Sequence, residues 1–460
     1  MANRFENKVR ILDLLRELGQ VSRPLLSQVL EINLPTISHL TKELLDAGLI
    51  RGSGFEKSDG GRRAELLILN PEFATAIGLE LSLTGIRGVL ADLGGHVLFR
   101  EEGPARVPNS RDEIVGAVLA VAEALLARAP AGRKPVGVGL GVAGLTDESG
   151  RISRKFPHRE HWNEVPLAPL LERRLGLPAL LENDVQAATL AERRHGAARD
   201  AENMLYLHIG HGIACGIVAS GRLYTGATRN AGEFGHTIVD PNGPICYCGN
   251  YGCLESLASP SAILERTLQA IRKGVQSSLG GASSSNLRAI SADAVFLAAS
   301  QGDRLASNVV TQAAEYIGLG LANLVNFFNP EIVVFGGAVL VRGHQGFNEA
   351  IERTFRSRVL PILQQQTRTV TSMLGRDAAA VGGSMLIFED LFERPERLFG
   401  LAQGKALAPD PAQSQAGATP RGSRTRPGGP GAKHAAGKER GLGAARWRRM
   451  SASRPAPRNW

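Results

Sequence analysis

The sequence predicts an α/β protein that carries a small helical domain at its N-terminus. Between about residues 74 and 390, runs of β-branched and apolar residues alternate with helical stretches, which is the pattern of α/β domains. The first 70 residues contain three short amphipathic helices followed by a β-hairpin. We therefore expect an N-terminal domain at 1–72, a larger α/β domain at 73–395 and a separate tail at 396–460.

Three helices are predicted in the N-terminal domain because apolar residues recur on one face of each. The apolar stripe of the first helix ends near Gly19 and consists of Ile11, Leu14, Leu15 and Leu18. Ser22 is the expected cap of the second helix, with Pro24 in its first turn. Asn33 is the expected cap of the third helix, which stops at Ala47-Gly48.

The outward face of the third helix predicts a contact with DNA. It carries short hydrogen-bonding side chains and one cation, namely Thr36, Ser38, His39 and Lys42. Such side chains near a helix N-terminus suit the major groove. A two-stranded wing with Arg62 and Arg63 at its base follows, and paired arginines there suit a minor groove or the phosphate backbone. Helix spacing alone leaves open a helical bundle with a solvated polar face.

The larger domain is predicted to contain two similar halves. The first half begins with three β-rich runs separated by short turns, AIGLELSL, GIRGVLADL and GHVLF. A helix at 112–129 and the apolar strand VGVGLGVAGL come next. The second half begins at Met204 with LYLHIGHGIACGIVASGRLYTG, a strand-turn-strand unit of the same form. The pattern by itself supports an α/β domain and no particular fold.

Three of the four cysteines lie in one glycine-rich segment, GEFGHTIVDPNGPICYCGNYGCLE at 232–255. The candidate ligands have the spacing H-x9-C-x-C-x4-C and are His236, Cys246, Cys248 and Cys253. Thiolates and imidazole are the ligands that tetrahedral zinc prefers, and the intervening Gly and Pro residues favour tight turns. The segment therefore predicts a closed structural Zn²⁺ site.

Two alternatives to the metal site are weaker. The first alternative is a set of unrelated buried cysteines. Such cysteines rarely lie as close together as the three found here, which fall within eight residues and are separated by glycines. A disulfide framework is unfavoured because Cys215 alone lies outside the cluster and the first residues do not resemble a signal peptide. We expect Cys215 to be a small buried residue.

The segments GEFGH at 232–236 and CYCGNYGCLE at 246–255 resemble the signature of the ROK family of repressors and sugar kinases. VSRPLLSQVLEINLPTISHLTKELLDAGLIRGSG and GGRR resemble the winged helix-turn-helix of its repressors, and the resemblance covers about residues 8–390. It implies a duplicated ribonuclease-H-like fold, as in actin and hexokinase. It also implies that zinc braces a sugar pocket in which Glu233, His236 and Glu255 contact sugar hydroxyls.

The segment Leu181-Glu182-Asn183-Asp184 resembles the motif with which the family's kinases hold and activate a sugar. The resemblance implies a sugar-binding role for Asn183 and, in a kinase, the role of catalytic base for Asp184. An aspartate at a strand end is able to accept a proton from a sugar hydroxyl. The plainer interpretation is that Asp184 caps the helix that follows.

The two phosphate-holding loops differ from those of the kinases. The kinases have Asp, a glycine pair and Thr in the first hairpin, whereas this chain has Glu80 and, further on, the bulky Leu83. The second loop has His211 where the kinases have a phosphate-contacting Thr. Phosphoryl transfer depends on that cradle, so we expect this chain not to be an enzyme.

The positive charge of the chain is confined to its C-terminal tail. The formal net charge is +9, and residues 401–460 alone carry +10, so charge does not indicate DNA binding by the remainder. The tail is rich in Gly, Pro, Ala and Arg and is predicted to be disordered. No apolar run approaches the length of a membrane span, so we expect a cytoplasmic protein without membrane contacts.

These features predict a sugar-responsive transcriptional regulator, most simply a repressor. Its expected partners are operator DNA, a sugar or sugar-phosphate effector, and further copies of itself in a homodimer or homotetramer. An ATP-dependent sugar kinase with a DNA-binding arm is the alternative from the enzyme class. A third possibility is a zinc-braced interaction protein that a protein partner regulates in place of a sugar.

Overall fold

The computed structural model of the chain describes residues 2–407, apart from 57–62, 105, 134, 281–286, 288 and 342–344. Arg62 and the greater part of the predicted tail lie outside the described residues. The helices are α1 (Ala2–Leu18), α2 (Arg23–Leu30), α3 (Leu34–Asp46), α4 (Arg111–Ala127), α5 (Leu167–Leu175), α6 (Asp184–His195), α7 (Leu254–Ala258), α8 (Pro260–Arg272), α9 (Ala292–Ser300), α10 (Arg304–Phe328), α11 (Ala338–Val341), α12 (Gln345–Arg358), α13 (Pro361–Gln366), α14 (Ala378–Glu393) and α15 (Pro395–Ala402).

The strands form three larger sheets and one two-stranded ribbon. They are β1 (Val21–Ser22), β2 (Ile50–Phe55), β3 (Glu65–Leu69), β4 (Thr75–Ser82), β5 (Gly85–Asp92), β6 (Val97–Glu102), β7 (Pro135–Val142), β8 (Leu145–Thr146), β9 (Ser153–Lys155), β10 (Ala179–Asn183), β11 (Met204–Ile209), β12 (Ile213–Ala219), β13 (Arg222–Leu223), β14 (Ile332–Gly336) and β15 (Arg368–Thr371).

The N-terminal domain is a winged helix built from α1 to α3 and a sheet of order β1-β3-β2. Asn33 caps α3 as predicted, because its side-chain oxygen accepts a hydrogen bond of 2.9 Å from the backbone N–H of Thr36. Ser22 occupies the cap position of α2, but its side chain makes no capping hydrogen bond, so the predicted role is wrong. Ser22 instead belongs to β1, which pairs with β3.

The remaining strands form two lobes of identical topology. Lobe 1 has the order β10-β7-β4-β5-β6, and lobe 2 has the order β13-β12-β11-β14-β15. In each lobe the first three strands in sequence form an antiparallel meander, and the later two run parallel to the first of them. This repeat confirms the duplicated ribonuclease-H-like fold.

Two long helices, α6 and α14, pack closely against the sheets and against each other. On β4, a Cβ atom placed on Gly78 would lie 1.9 Å from the carbonyl oxygen of Ala380 in α14. A Cβ atom on Gly382 of α14 would lie 1.9 Å from the carbonyl oxygen of Ala187 in α6. Helix α6 also packs on β12, so this one helix contacts both lobes.

The C-terminal end of the described chain corrects one prediction. The sequence places a disordered tail from residue 396, yet Pro395–Ala402 forms α15 and Leu398 is buried. The rings of Phe5 in α1 and Phe399 in α15 lie 5.2 Å apart. A single apolar face on α15, packed on the N-terminal domain, is enough to order this short segment. None of the described helices is long and apolar enough to cross a membrane.

Candidate effector site and metal centre

The four predicted metal ligands converge within one loop of lobe 2. His236 ends a single 3₁₀ turn, and Cys253 immediately precedes α7. The ligand atoms of all four residues lie within 4.8 Å of one another. Gly252 allows this approach: it has a φ of +68°, and a Cβ atom there would lie 1.5 Å from the carbonyl oxygen of Asp240.

The spacing within the cluster suits a tetrahedral ion. The Nδ1 atom of His236 lies 3.6 Å from the Sγ atom of Cys246, and the Sγ atoms of Cys248 and Cys253 lie 3.7 Å apart. Two metal–sulfur bonds of about 2.3 Å that meet at the tetrahedral angle separate their sulfurs by about 3.8 Å. A hydrogen bond from the backbone of Asn250 helps to lower the pKa of Cys248 to about 7, whereas burial raises the pKa of Cys246 and of Cys253. The residues present therefore fit a metal ion with three thiolates and one imidazole.

The imidazole of His236 has a second contact on the side away from the cysteines. Its Nε2 atom lies 3.0 Å from the hydroxyl oxygen of Tyr247 and 3.8 Å from a carboxylate oxygen of Glu233. One nitrogen thus faces the metal ligands while the other faces the candidate effector site. Sequence reasoning missed Tyr247, although its position between two ligand cysteines was a usable signal.

Asn183 and Asp184 lie where β10 ends and α6 begins. The side-chain oxygen of Asn183 accepts hydrogen bonds from the backbone N–H groups of Val185 (2.9 Å) and Gln186 (3.2 Å), so Asn183 is the cap of α6. The suggestion that Asp184 serves as the cap is therefore wrong. The Asn183 amide group also donates to the carbonyl oxygen of Gly144 at 3.1 Å, which fixes the side chain on both sides.

Carboxylates from both lobes lie near one another at the β10–α6 junction. Burial, reinforced by the charges of Glu80 and Glu233, raises the pKa of Asp184 to about 7. Burial and the charge of Glu255 raise the pKa of Glu233, which His236 opposes. Asp184 of lobe 1 is therefore near Glu233 of lobe 2, which is in turn near Glu255 of the same lobe. The resulting cluster offers acceptors for the hydrogens of hydroxyl groups.

The two segments that were compared with the phosphate-holding loops of kinases make contacts of their own. Arg87 Nη1 donates to a buried carboxylate oxygen of Glu80 at 2.8 Å. Burial raises the pKa of Glu80 although Arg87 opposes this. In the second loop, the backbone N–H of Ile213 donates to Glu255 at 2.9 Å. Glu255 therefore joins α7 to this loop, while His211 at the hairpin turn is exposed.

A second inter-lobe contact had no signal in the sequence. Glu182 is fully buried and forms an ion pair with Arg229, which belongs to the loop between β13 and the 3₁₀ turn of lobe 2. The side-chain amide of Gln186 donates to the carbonyl oxygens of Arg229 (3.2 Å) and Ala231 (3.0 Å). These contacts hold the β10–α6 junction against lobe 2.

The predicted DNA-reading face is on the surface of the winged helix. Ser38, His39 and Lys42 are exposed, and Thr36 is half-buried. His39 is engaged within the domain, because its Nε2 atom lies 2.7 Å from Arg4 and 2.9 Å from Glu43. Arg63, at the base of the wing, is exposed.

A winged helix joined to a two-lobed, kinase-like domain defines this chain as a DNA-binding transcriptional regulator. The chain belongs to the ROK family, whose model matches residues 76–390. The xylose repressor of Caldicellulosiruptor bescii is 30% identical over 391 residues, which cover 85% of this chain and 97% of the repressor.

Two solved structures show how the parts of the chain correspond to known folds. One is a ROK family transcriptional regulator, a homologue of the E. coli MLC protein, with 30% identity and a TM-score of 0.72 over 87% of this chain and 99% of that one. The other is a ROK family glucokinase from Streptomyces griseus in complex with glucose and AMPPNP. It has 28% identity and a TM-score of 0.60, and covers 69% of this chain and 100% of its own. The match to the regulator is thus the more extensive.

Proposed function

We propose that this chain represses transcription by binding operator DNA through the winged helix, and that a sugar or sugar phosphate in the inter-lobe cleft controls this binding. The observation that carries the proposal is the presence, in one chain, of an exposed polar face on α3 and a cluster of carboxylates at the β10–α6 junction. The near-complete coverage of a named repressor supports it.

The effector is held by both lobes in this proposal. Asn183 and Asp184 contribute from lobe 1, and Glu233, His236 and Glu255 contribute from lobe 2. Carboxylates and an amide accept and donate the paired hydrogen bonds that sugar hydroxyls need. A ligand that contacts both lobes favours their closed arrangement, and differential binding to the two arrangements changes the affinity for DNA.

The metal in this proposal is Zn²⁺ in a structural role. Zinc takes three thiolates and one imidazole in closed tetrahedral sites, and four protein ligands leave no position for water or substrate. When bound, it supplies rigidity and no chemistry. The chain's own residues then do the positioning: His236 presents Nε2, and Tyr247 and Glu233 lie beside it.

We favour a regulator over an ATP-dependent sugar kinase. The ion pair between Glu80 and Arg87 supports this, because a carboxylate engaged in that way is a poor magnesium ligand. An ADP-release assay with glucose, xylose and N-acetylhexosamines tests the alternative. We expect no turnover above background, and turnover that disappears in Asp184→Asn would establish the kinase.

The protein binds a palindromic operator as a homodimer or homotetramer in this proposal, because two winged helices then address two half-sites. The direct test is fluorescence anisotropy with a DNA fragment from the promoter of its own gene, with and without each sugar. Saturable binding that one sugar weakens is the expected result. DNA binding that no sugar changes would favour control by a protein partner, and the absence of DNA binding would contradict the proposal.

A further inference from the structure

Helix α6 connects the candidate effector site to the winged helix. It begins at Asp184, in the candidate effector site, and ends at His195, a length of 12 residues, which is about 18 Å. Every residue from Val185 to Arg193 is buried. A helix packed on all sides moves as a rigid body, so a displacement of its first turn also displaces its last turn.

The last turn of α6 is attached to α14 through Arg194. The Nε atom of Arg194 lies 2.7 Å from Oε1 of Glu389, and its Nη2 atom donates to Oε2 of the same carboxylate at 3.1 Å. Arg194 also lies 4.0 Å from Glu17 of α1. Gly382 of α14 lies against the backbone of Ala187, so the two helices are in close contact along their length.

The same carboxylate contacts the DNA-binding domain. Arg16 of α1 donates to Oε2 of Glu389 at 3.2 Å, and its guanidinium lies 4.9 Å from the ring centre of Phe392. Burial alone would raise the pKa of Glu389, but Arg16 and Arg194 outweigh it and hold the pKa below its usual value. Glu389 is therefore ionised, and one carboxylate joins α1, α6 and α14.

Apolar packing sets the domains side by side, but it does not fix one angle between them. Leu14 and Leu15 of α1 share an apolar cluster with Phe388 and Leu391 of α14. Such contacts are non-directional and permit small rotations. A carboxylate between two guanidinium groups is directional, because each N–H···O bond requires its own geometry.

We propose that Glu389 is the positioning residue through which α6 sets the orientation of the winged helix. In this inference, which rests on the proposed function, effector binding shifts the first turn of α6. Arg194 carries the shift to Glu389, and Arg16 carries it to α1. Because coupling between two sites is reciprocal, DNA binding must in turn affect the first turn of α6.

The test uses hydrogen–deuterium exchange of the full-length protein, with the promoter fragment as the probe. In the wild type, we expect DNA to change the exchange rate of the segment 179–190 at least about twofold. Glu389→Gln keeps the shape of the side chain and removes its charge. We expect it to bind DNA within about threefold of the wild-type affinity and to lose the change at 179–190. Arg16→Gln removes the guanidinium group that joins Glu389 to α1. We expect this variant also to lose the change in exchange at 179–190.

The matched control is Glu102→Gln, which removes a carboxylate paired with Arg376 near the start of α14. It should retain the change at 179–190. A Glu389→Gln variant that also retains it would overturn the inference, as would wild-type protein that binds DNA with no change at 179–190. Neither result affects the proposed function. Wild-type protein that binds no DNA would instead contradict the proposed function, and the inference with it.

Discussion

The Nδ1 atom of His236 lies 3.6 Å from the Sγ atom of Cys246, while the Nε2 atom of the same ring faces the hydroxyl of Tyr247. A metal ion bound to Nδ1 would fix the ring and therefore the position of Nε2 in the cleft. This relationship explains how one residue serves both as a ligand and as an effector contact in the proposed function. It also predicts that loss of the metal weakens effector binding.

Replacing Cys246 tests the metal centre. We expect Cys246→Ala to lose bound zinc, measured by plasma mass spectrometry, because three ligands and an open position hold zinc less tightly. The melting temperature should fall by several degrees, and the effector should bind more weakly. Cys215→Ala is the control, because Cys215 is buried on β12 outside the cluster, and it should retain zinc. A Cys246→Ala protein with a full effector response and no metal would contradict the bracing role.

The raised pKa of Asp184 predicts how the stability of the protein depends on pH. The folded pKa of this residue is raised to about 7 from an unfolded value of 3.8, so the folded state retains a proton that the unfolded state releases between those values. Its contribution to stability therefore declines as the pH rises from about 4 to 7. Asp184→Asn removes this penalty, so its gain in melting temperature should be larger at pH 8 than at pH 5.

The control for this measurement is Asp112→Asn, at an exposed position in the first turn of α4. Its effect should be the same at pH 5 and pH 8, because the side chain of Asp112 is exposed to solvent. If Asp184→Asn gave equal shifts at the two values, the raised pKa would be wrong.

Lys42 lies on the predicted DNA-reading face, so its replacement should change how DNA binding depends on salt. Lys42→Ala should weaken binding to all sequences alike and reduce the slope of log affinity against log salt by about 1, because one phosphate contact is lost. Anisotropy titrations between 50 and 200 mM salt, a range over which several phosphate contacts change affinity by about 10³-fold or more, measure this slope. Lys273→Ala, an exposed lysine after α8 in lobe 2, should leave both quantities unchanged. An unaltered slope in Lys42→Ala would remove Lys42 from the interface.

Substitution of Gly78 should cause a large loss of stability. Gly78→Ala should lower the free energy of unfolding by at least about 2 kcal/mol, because its Cβ atom would overlap the backbone of α14 and force the helix off the sheet. Gly116→Ala is the matched control: Gly116 lies within α4 and has open space around it. That change should raise the free energy of unfolding by about 0.5–1 kcal/mol. Urea denaturation of both variants measures the difference, and equal effects would contradict the packing of α14 on β4.

Residues close together in the chain were the ones that sequence reasoning located best. The spacing of His236, Cys246, Cys248 and Cys253 was enough to predict that these four side chains come together, because a short glycine-rich loop allows few arrangements. The Asn33 cap and the strand–helix alternation were predictable for the same reason, since hydrogen bonds and side-chain periodicity are local. The resemblance to a family supplied the duplicated fold, which periodicity alone did not.

The tertiary structure decided which distant residues share a site. Asn183, and not Asp184, caps α6 in the structure. Pro395–Ala402 forms a helix that packs on α1, and Glu182 pairs with Arg229. The tertiary structure also brought Glu389 between Arg16 and Arg194, which no spacing in the sequence indicates. Such pairs form only when whole helices pack, and the burial that packing imposes also sets the pKa of Asp184. The sequence by itself thus determined the cluster of candidate metal ligands and the order of the elements. Packing over long separations determined which residues meet at the β10–α6 junction and how α6 and α14 contact the winged helix.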